Sequence, residues 1–228
     1  MIDNIFWLMV MDDILDKSKV IIGLIVILGF NFMAFSQYED ADAWYNDGNL
    51  YLMNGMLDKA IKCYLKVLSI NKSHIMAYNN LGVAYYKLKD YDSAITTFKK
   101  ATLIKEDDLT AWYNLGLCYV DQKRYKEALD AFGRATLIED NFAEGWNSLG
   151  LTLKELGRNE EALNCVNKAL MINPYFTLAM VSKAVILVKM DRLEEAGVWY
   201  AKALNIDPKI KDLIEVKEIS EKIKNNGE

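Results

Sequence analysis

The sequence predicts an all-α protein, a solenoid of antiparallel helix pairs. Three observations predict it. A 34-residue period runs through the chain: Gly48, Gly82, Gly116 and Gly150 are one period apart, and so are Ala60, Ala94, Ala128, Ala162 and Ala196. Within a period, large residues recur at i, i+3 and i+7, as in Trp112, Leu115 and Tyr119, the spacing of one helix face. The only two prolines, Pro174 and Pro208, are also one period apart and fall in breaks between helical segments, where a missing N–H costs least.

The 228 residues carry 27 Lys+Arg against 32 Asp+Glu, a net charge of −5, with 52% hydrophobic residues. So much apolar surface excludes a disordered chain. The acidic balance argues against a nucleic-acid partner, since many phosphates would go unneutralised. One His and three Cys leave little material for a metal site.

Residues 1–36 form the first element. An apolar run from Val20 to Phe35 follows Lys17 and Lys19. As a helix these residues span about 24 Å at 1.5 Å per residue. A hydrocarbon core is about 30 Å thick, so the run is short for a membrane span. A basic flank, a short apolar stretch and small residues before the cut are the marks of a secretory signal. Ala34 and Ser36 supply the small positions for cleavage at Ser36-Gln37. Asp3, Asp12, Asp13 and Asp16 weaken the positive flank, and Met9 or Met11 is an alternative start. The expected location is extracytoplasmic, periplasmic or secreted. The alternative is a chain anchored in the membrane through residues 20–35 if they stay uncleaved.

Five repeats follow: 41–74, 75–108, 109–142, 143–176 and 177–210. Each holds two amphipathic helices, A and B, joined by a short turn such as Lys89-Asp90 or Lys123-Arg124. Further columns agree with the period: Trp44, Tyr78, Trp112, Trp146 and Met180; Tyr51, Tyr85, Tyr119, Leu153 and Leu187; Tyr64, Phe98, Phe132, Val166 and Tyr200. A helical glycine costs about 1 kcal/mol relative to alanine, so packing must offset it. The expected offset is close approach of helix B through its small Ala column, with aromatics filling the space between helices. Residues 211–228 are read as a C-terminal capping helix and tail, with Ile210, Leu213, Ile214, Ile219 and Ile223 as its apolar stripe.

Trp112, Leu115, Gly116 and Tyr119, followed by Ala128, Phe132 and Ala135, resemble the tetratricopeptide repeat. The resemblance covers nearly all of the chain after residue 40. It implies a right-handed superhelix whose concave groove, lined by helix A, takes partner proteins. It also implies that groove contacts come from the second, fifth, sixth, ninth and twelfth positions of each repeat.

The ninth position reads Asn49, Val83, Leu117, Leu151 and Val185, with Val120, Leu178, Val181 and Val188 around it. Contiguous exposed apolar area marks an interaction site. The competing reading is that helix A of the fifth repeat is simply more buried. The sixth position reads Asn46, Asn80, Asn114, Ser148 and Ser182, and the fifth includes Tyr45, Asn79, Tyr113 and Asn147. An amide both donates and accepts, so a row of them holds an extended peptide backbone. The alternative is an exposed polar helix face with no such role. The second, fifth and sixth positions contain no Lys or Arg, so a carboxylate clamp is not expected.

Cys63, Cys118 and Cys165 lie far apart and are read as small packing residues, and His74 as a solvated turn residue. Acidic pairs such as Asp107-Asp108 and Glu139-Asp140 are read as helix caps. No phosphate-binding loop and no nucleophile–base pair stands out, so neither an enzyme nor a cofactor is expected. The expected function is a non-catalytic scaffold that binds a peptide or helix of a partner protein. The alternative is a membrane-tethered or self-assembling scaffold, a homo-oligomer.

Overall fold

The computed structural model describes residues 41–212. The expected signal segment and the capping residues from 213 onward lie outside the described residues. The fold class is the one the period predicts: all-α, built of consecutive helix pairs. The chain forms two compact units, Met1–Ala77 and Tyr78–Glu228.

In the first unit, residues 41–53 form α1 and Leu57–Ile70 form α2. The buried residues of α2, Ala60, Cys63, Tyr64 and Val67, follow the i, i+3, i+4, i+7 stripe of a half-buried helix. The Tyr64 hydroxyl donates to Asn49 Oδ1 at 2.8 Å. His74 is no solvated turn residue. Its Nδ1 accepts the Ala77 N–H at 3.1 Å, and its ring lies 4.9 Å from that of Tyr45.

The second unit takes up the chain near the start of α3 (Ile75–Lys87). It continues through α4 (Tyr91–Ile104), α5 (Leu109–Asp121), α6 (Tyr125–Ile138), α7 (Ala143–Glu155) and α8 (Asn159–Ile172). Then come α9 (Thr177–Lys189), α10 (Leu193–Ile206) and a short 3₁₀ turn, Pro208–Asp212. Successive helices pack on one another from α4 to α10. Each A-to-B turn has one left-handed residue in the same column: Gly55, Lys89, Lys123, Gly157 and Asp191, with φ between 58° and 76°. The turn needs that conformation whatever the side chain, and three non-glycine residues accept its strain.

The glycine column works differently from the expectation. A Cβ on Gly82 would lie 2.6 Å from the Phe98 ring, and one on Gly116 would lie 2.5 Å from the Phe132 ring. Gly48 stands in the same relation to Tyr64, at 2.7 Å. The glycine therefore seats the aromatic of helix B, not the alanine column. Those three rings are fully buried. Burying such a side chain stabilises by about 1.5–3 kcal/mol, more than the glycine costs. Only in the fourth repeat, where Val166 replaces the ring, does backbone come close: a Cβ on Gly150 would lie 2.9 Å from the Ala162 carbonyl oxygen. In the fifth, Ala184 replaces the glycine and Tyr200 is only half-buried.

The tryptophan column ties helix A to the turn before it. Trp112 Nε1 donates to the Glu106 carbonyl and Trp146 Nε1 to the Asp140 carbonyl, both at 2.8 Å. Asp108 caps α5 by accepting the Ala111 N–H at 2.7 Å, as the acidic-junction reading expected. Glu139 is the C-cap residue of α6, its N–H donating to the Ala135 carbonyl, but neither Glu139 nor Asp140 caps α7. Its N-cap is Phe142, and Asp140 pairs with Lys168 at 2.8 Å.

Candidate functional site

A pocket of about 230 Å³ opens among α5, α6 and α7 of the second unit. Leu117, Val120, Leu151 and Ser148 from the two A helices line it, with Tyr125 and Phe132 from α6 behind them. Thr152, Lys154 and Glu155 complete its rim, where Lys154 Nζ pairs with Glu155 at 2.8 Å. The 34-residue spacing creates the pocket. It puts Leu117 and Leu151 at the same height on adjacent A helices, and a helix alone would bury neither. The pocket is mostly apolar with a polar edge, the composition of a site for an apolar side chain.

The ninth-position residues of the second unit, Val83, Leu117, Leu151 and Val185, are all half-buried. Val83, Leu117 and Val185 also pack against the core. The stripe is thus shared between core and surface. Leu178 at the second position is open, at 54% exposure. In the first unit Asn49 is half-buried and accepts from Tyr64.

The fifth position proves to be a joint between repeats. Its side chain reaches the residue just before the next helix A. Tyr45 stacks on His74, Asn79 Nδ2 donates to Asp108 Oδ1 at 3.1 Å, and the Tyr113 ring meets Phe142 edge-on at 5.0 Å. Asn79, at 7% exposure, and two further expected contact residues are therefore not open to a partner. Val181 is in the core at 3% exposure, and in the same register Ile210 is buried too. Asn147 is 8% exposed. The Oδ1 atoms of Asn147 and Asn79 have no hydrogen-bond partner among the described residues; Asp108 accepts from Asn79 Nδ2 and leaves the Asn79 Oδ1 unpaired. Such an orphaned group costs about 1–3 kcal/mol.

The sixth-position row is partly committed to its own helices. Asn114 Nδ2 donates to the Thr110 carbonyl at 2.9 Å, leaving its Oδ1 to accept, and Ser182 donates to Leu178. Ser148 Oγ lies 3.5 Å from the Tyr113 hydroxyl. Asn80 is half-buried.

Charges around the groove are muted. Burial, with a hydrogen bond to Asp121, holds the Tyr86 hydroxyl protonated well above its ordinary range. Burial pushes the Cys118 thiol up to about 12, with the Asp121 charge adding to it, and Cys165 up to about 11. Both thiols are protonated at neutral pH and poor nucleophiles. Lys183 and Asp47 are the polar breaks in a column otherwise held by Leu81, Leu115 and Leu149, read from the sequence as marks of the two end repeats. The Lys183 Nζ donates to Asn167 Oδ1 at 2.6 Å and lies 3.9 Å over the Trp199 ring. Burial first, and Lys202 second, lowers its pKa. Among the described residues, no group of His, Cys, Asp and Glu is placed to hold a metal ion.

The helix pairs, the seated rings and the groove define a tetratricopeptide-repeat protein, a fold class of protein-interaction scaffolds. Residues 29–173, more than half of the chain, match the family described as Cilia and flagella-associated protein 70 C-terminal domain, and residues 178–210 match the tetratricopeptide repeat. The chain belongs to this tetratricopeptide-repeat family; the ciliary setting is that of the family's namesake. A TPR repeat-containing protein of Methanocaldococcus jannaschii, MJ1428, is 41% identical over 54 residues. That match spans 24% of this chain and only 9% of the relative. Among solved structures, YrrB, described as a TPR protein with an unusual peptide-binding site, is 26% identical with a TM-score of 0.67. The match covers 84% of this chain and 97% of YrrB. A structure of MamA is 25% identical, also with a TM-score of 0.67, over 77% of this chain and 96% of MamA.

Proposed function

We propose that this chain is a non-catalytic scaffold that holds a peptide or helix of a partner protein in its A-helix groove, outside the cytoplasm. The observation that carries the reading is the pocket where Leu117 and Leu151 meet. Its volume admits one large apolar side chain of the partner, and Val120 adds contact area. Asn80 and Asn114 are the residues for the partner's backbone; Asn114 Oδ1 is placed to accept an N–H. The peptide-binding site named for YrrB, a neighbour of similar length, supports a peptide ligand. The apolar run 20–35 with its small residues before Gln37 supports export.

The test substitutes Leu117→Asp and Leu151→Asp separately and measures partner capture and thermal melting. Loss of capture with a melt that moves only a few degrees is the expected result. Unfolding of both variants makes the stripe core and removes this site. N-terminal sequencing of the protein from its native cells tests the location: a chain beginning at Gln37 is expected, and one retaining residues 20–35 favours the membrane-tethered scaffold.

A further inference from the structure

A cleft of about 430 Å³ opens among α6, α7 and α8 of the second unit, apart from the A-helix pocket. Leu149 and Leu153 floor it, Gly133 and Cys165 wall it, and Arg158 and Glu161 stand at its rim. Ligand pockets run from about 300 to 1,000 Å³. The 34-residue period repeats this place on either side, and in both copies the chain fills it with an aromatic ring and a cation. One period back, Tyr119 stands in the column of Leu153, Lys99 in that of Gly133 and Arg124 in that of Arg158. The buried Tyr119 ring has its centre 4.6 Å from the Arg124 guanidinium carbon and 5.9 Å from Lys99 Nζ. One period on, Trp199 stands in the column of Cys165, Lys183 in that of Leu149 and Asn167 in that of Gly133. Lys183 Nζ bonds Asn167 and lies 3.9 Å over the Trp199 ring.

The fourth repeat keeps the cation and omits the ring. Arg158 is held by both oxygens of Glu161 at 2.7 Å, much as Glu127 holds Arg124 at 2.9 Å, but no ring lies against it among the described residues. Gly133 gives up its side chain with no return from its own chain: a Cβ there would meet nothing within 4 Å, and glycine weakens a helix. We propose that this cleft binds an aromatic side chain, tryptophan or tyrosine, of a partner protein, with Arg158 against the ring. The ring takes the space that Tyr119 and Trp199 take in the flanking copies. A guanidinium within about 6 Å of a ring centre attracts its face, and the two leucines below supply apolar contact. The open rim calls for a ring carried on a larger partner. Arg158, Glu161 and Asn164 are all exposed, whereas a free small molecule is held by burial of most of its surface. A side chain anchored on a partner also draws on the contacts around it.

The test titrates N-acetyl-tryptophanamide and N-acetyl-leucinamide into the full chain and reads the leucine methyls by NMR. The tryptophan probe is expected to shift Leu149 and Leu153 saturably, binding about tenfold more tightly than the leucine probe, the order of a cation–π contact. Gly133→Lys and Cys165→Trp each restore a side chain that a flanking copy has, and each abolishes those shifts. Gly133→Lys extends into open space, so its melting temperature holds or rises and the loss reads the site, not the fold. Arg158→Gln narrows the gap between the two probes. Equal binding of the probes overturns the proposal, as do shifts confined to Leu117 and Leu151 or no shift at all. Shifts at Leu149 and Leu153 that survive both filling variants overturn it too. Free indole that binds where the amide does not makes this a small-molecule site and overturns the partner reading.

Discussion

The third and fifth repeats share a period and a fold but use their columns differently. In the third, Tyr113 at the fifth position is half-buried against Phe142, Asn114 is half-buried, and Leu117 borders an open pocket. In the fifth, Val181 and Ser182, in those first two columns, are at 3% and 5% exposure. Gly116 seats a buried Phe132, while the fifth repeat has Ala184 and a half-buried Tyr200 in those columns. A repeat position therefore fixes which neighbour a side chain meets, not whether that neighbour covers it. Cover depends on the size and polarity of the neighbour's side chain at the joint, which the period does not constrain.

Aspartate substitution separates the two repeats most strongly. Val181→Asp buries an unpaired charge and costs about 4 kcal/mol or more in urea unfolding. Leu151→Asp, at a half-buried pocket wall, costs about 1 kcal/mol, within the range of partly exposed sites. Equal losses would erase the distinction between core and groove. The glycine column comes next. Gly116→Ala forces the Phe132 ring to move within a packed core and costs about 1–3 kcal/mol. Ala184→Gly costs about 1 kcal/mol because a helix loses its better former. The column therefore prefers opposite residues in the two repeats, and a stabilising Gly116→Ala would refute the seated ring.

The smallest effect is one of pH. The third repeat has Cys118 in the column that the fifth fills with Ile186. The folded state holds that thiol up to about 12 against an ordinary 9.0. The fold therefore keeps a proton that the unfolded chain releases, and its stabilising effect is complete below about pH 9. Stability falls as pH rises from there toward 12. Urea midpoints measured across that range should fall more steeply for the wild type than for Cys118→Ala. Parallel curves would mean the thiol is not buried as described.

Much of the fold was legible because stacking demands a strict period. The Gly and Ala columns, the A-to-B turns at Lys89 and Lys123, and the helix pairs all follow from spacing alone. The partner of the glycine was not legible, since a column of small residues in helix B and a column of rings both fit the period. The structure picks the rings. The groove was partly legible. Leu117 and Leu151 meet as their shared position requires, yet Val181 and Asn147 in equally suggestive columns are buried. Nothing in the period reveals that the fifth position reaches the start of the next repeat. The alternation of His74, Asp108, Phe142, Phe176 and Ile210 there carried the signal: an acid appears opposite Asn79 and aromatics opposite Tyr45 and Tyr113. Lys183 was visible as a break in a leucine column, but its placement between Asn167 and Trp199 needed coordinates.

The central claim is that partners meet the A-helix groove at Leu117 and Leu151. Its most direct test is a benzophenone photo-crosslinker placed at position 151, compared with one at position 171 on the B-helix side, in the full chain in its native cells. The account predicts a discrete adduct with another protein from position 151, lost when Leu117→Asp is added. An adduct from position 171 alone, or one from 151 that Leu117→Asp leaves intact, contradicts it.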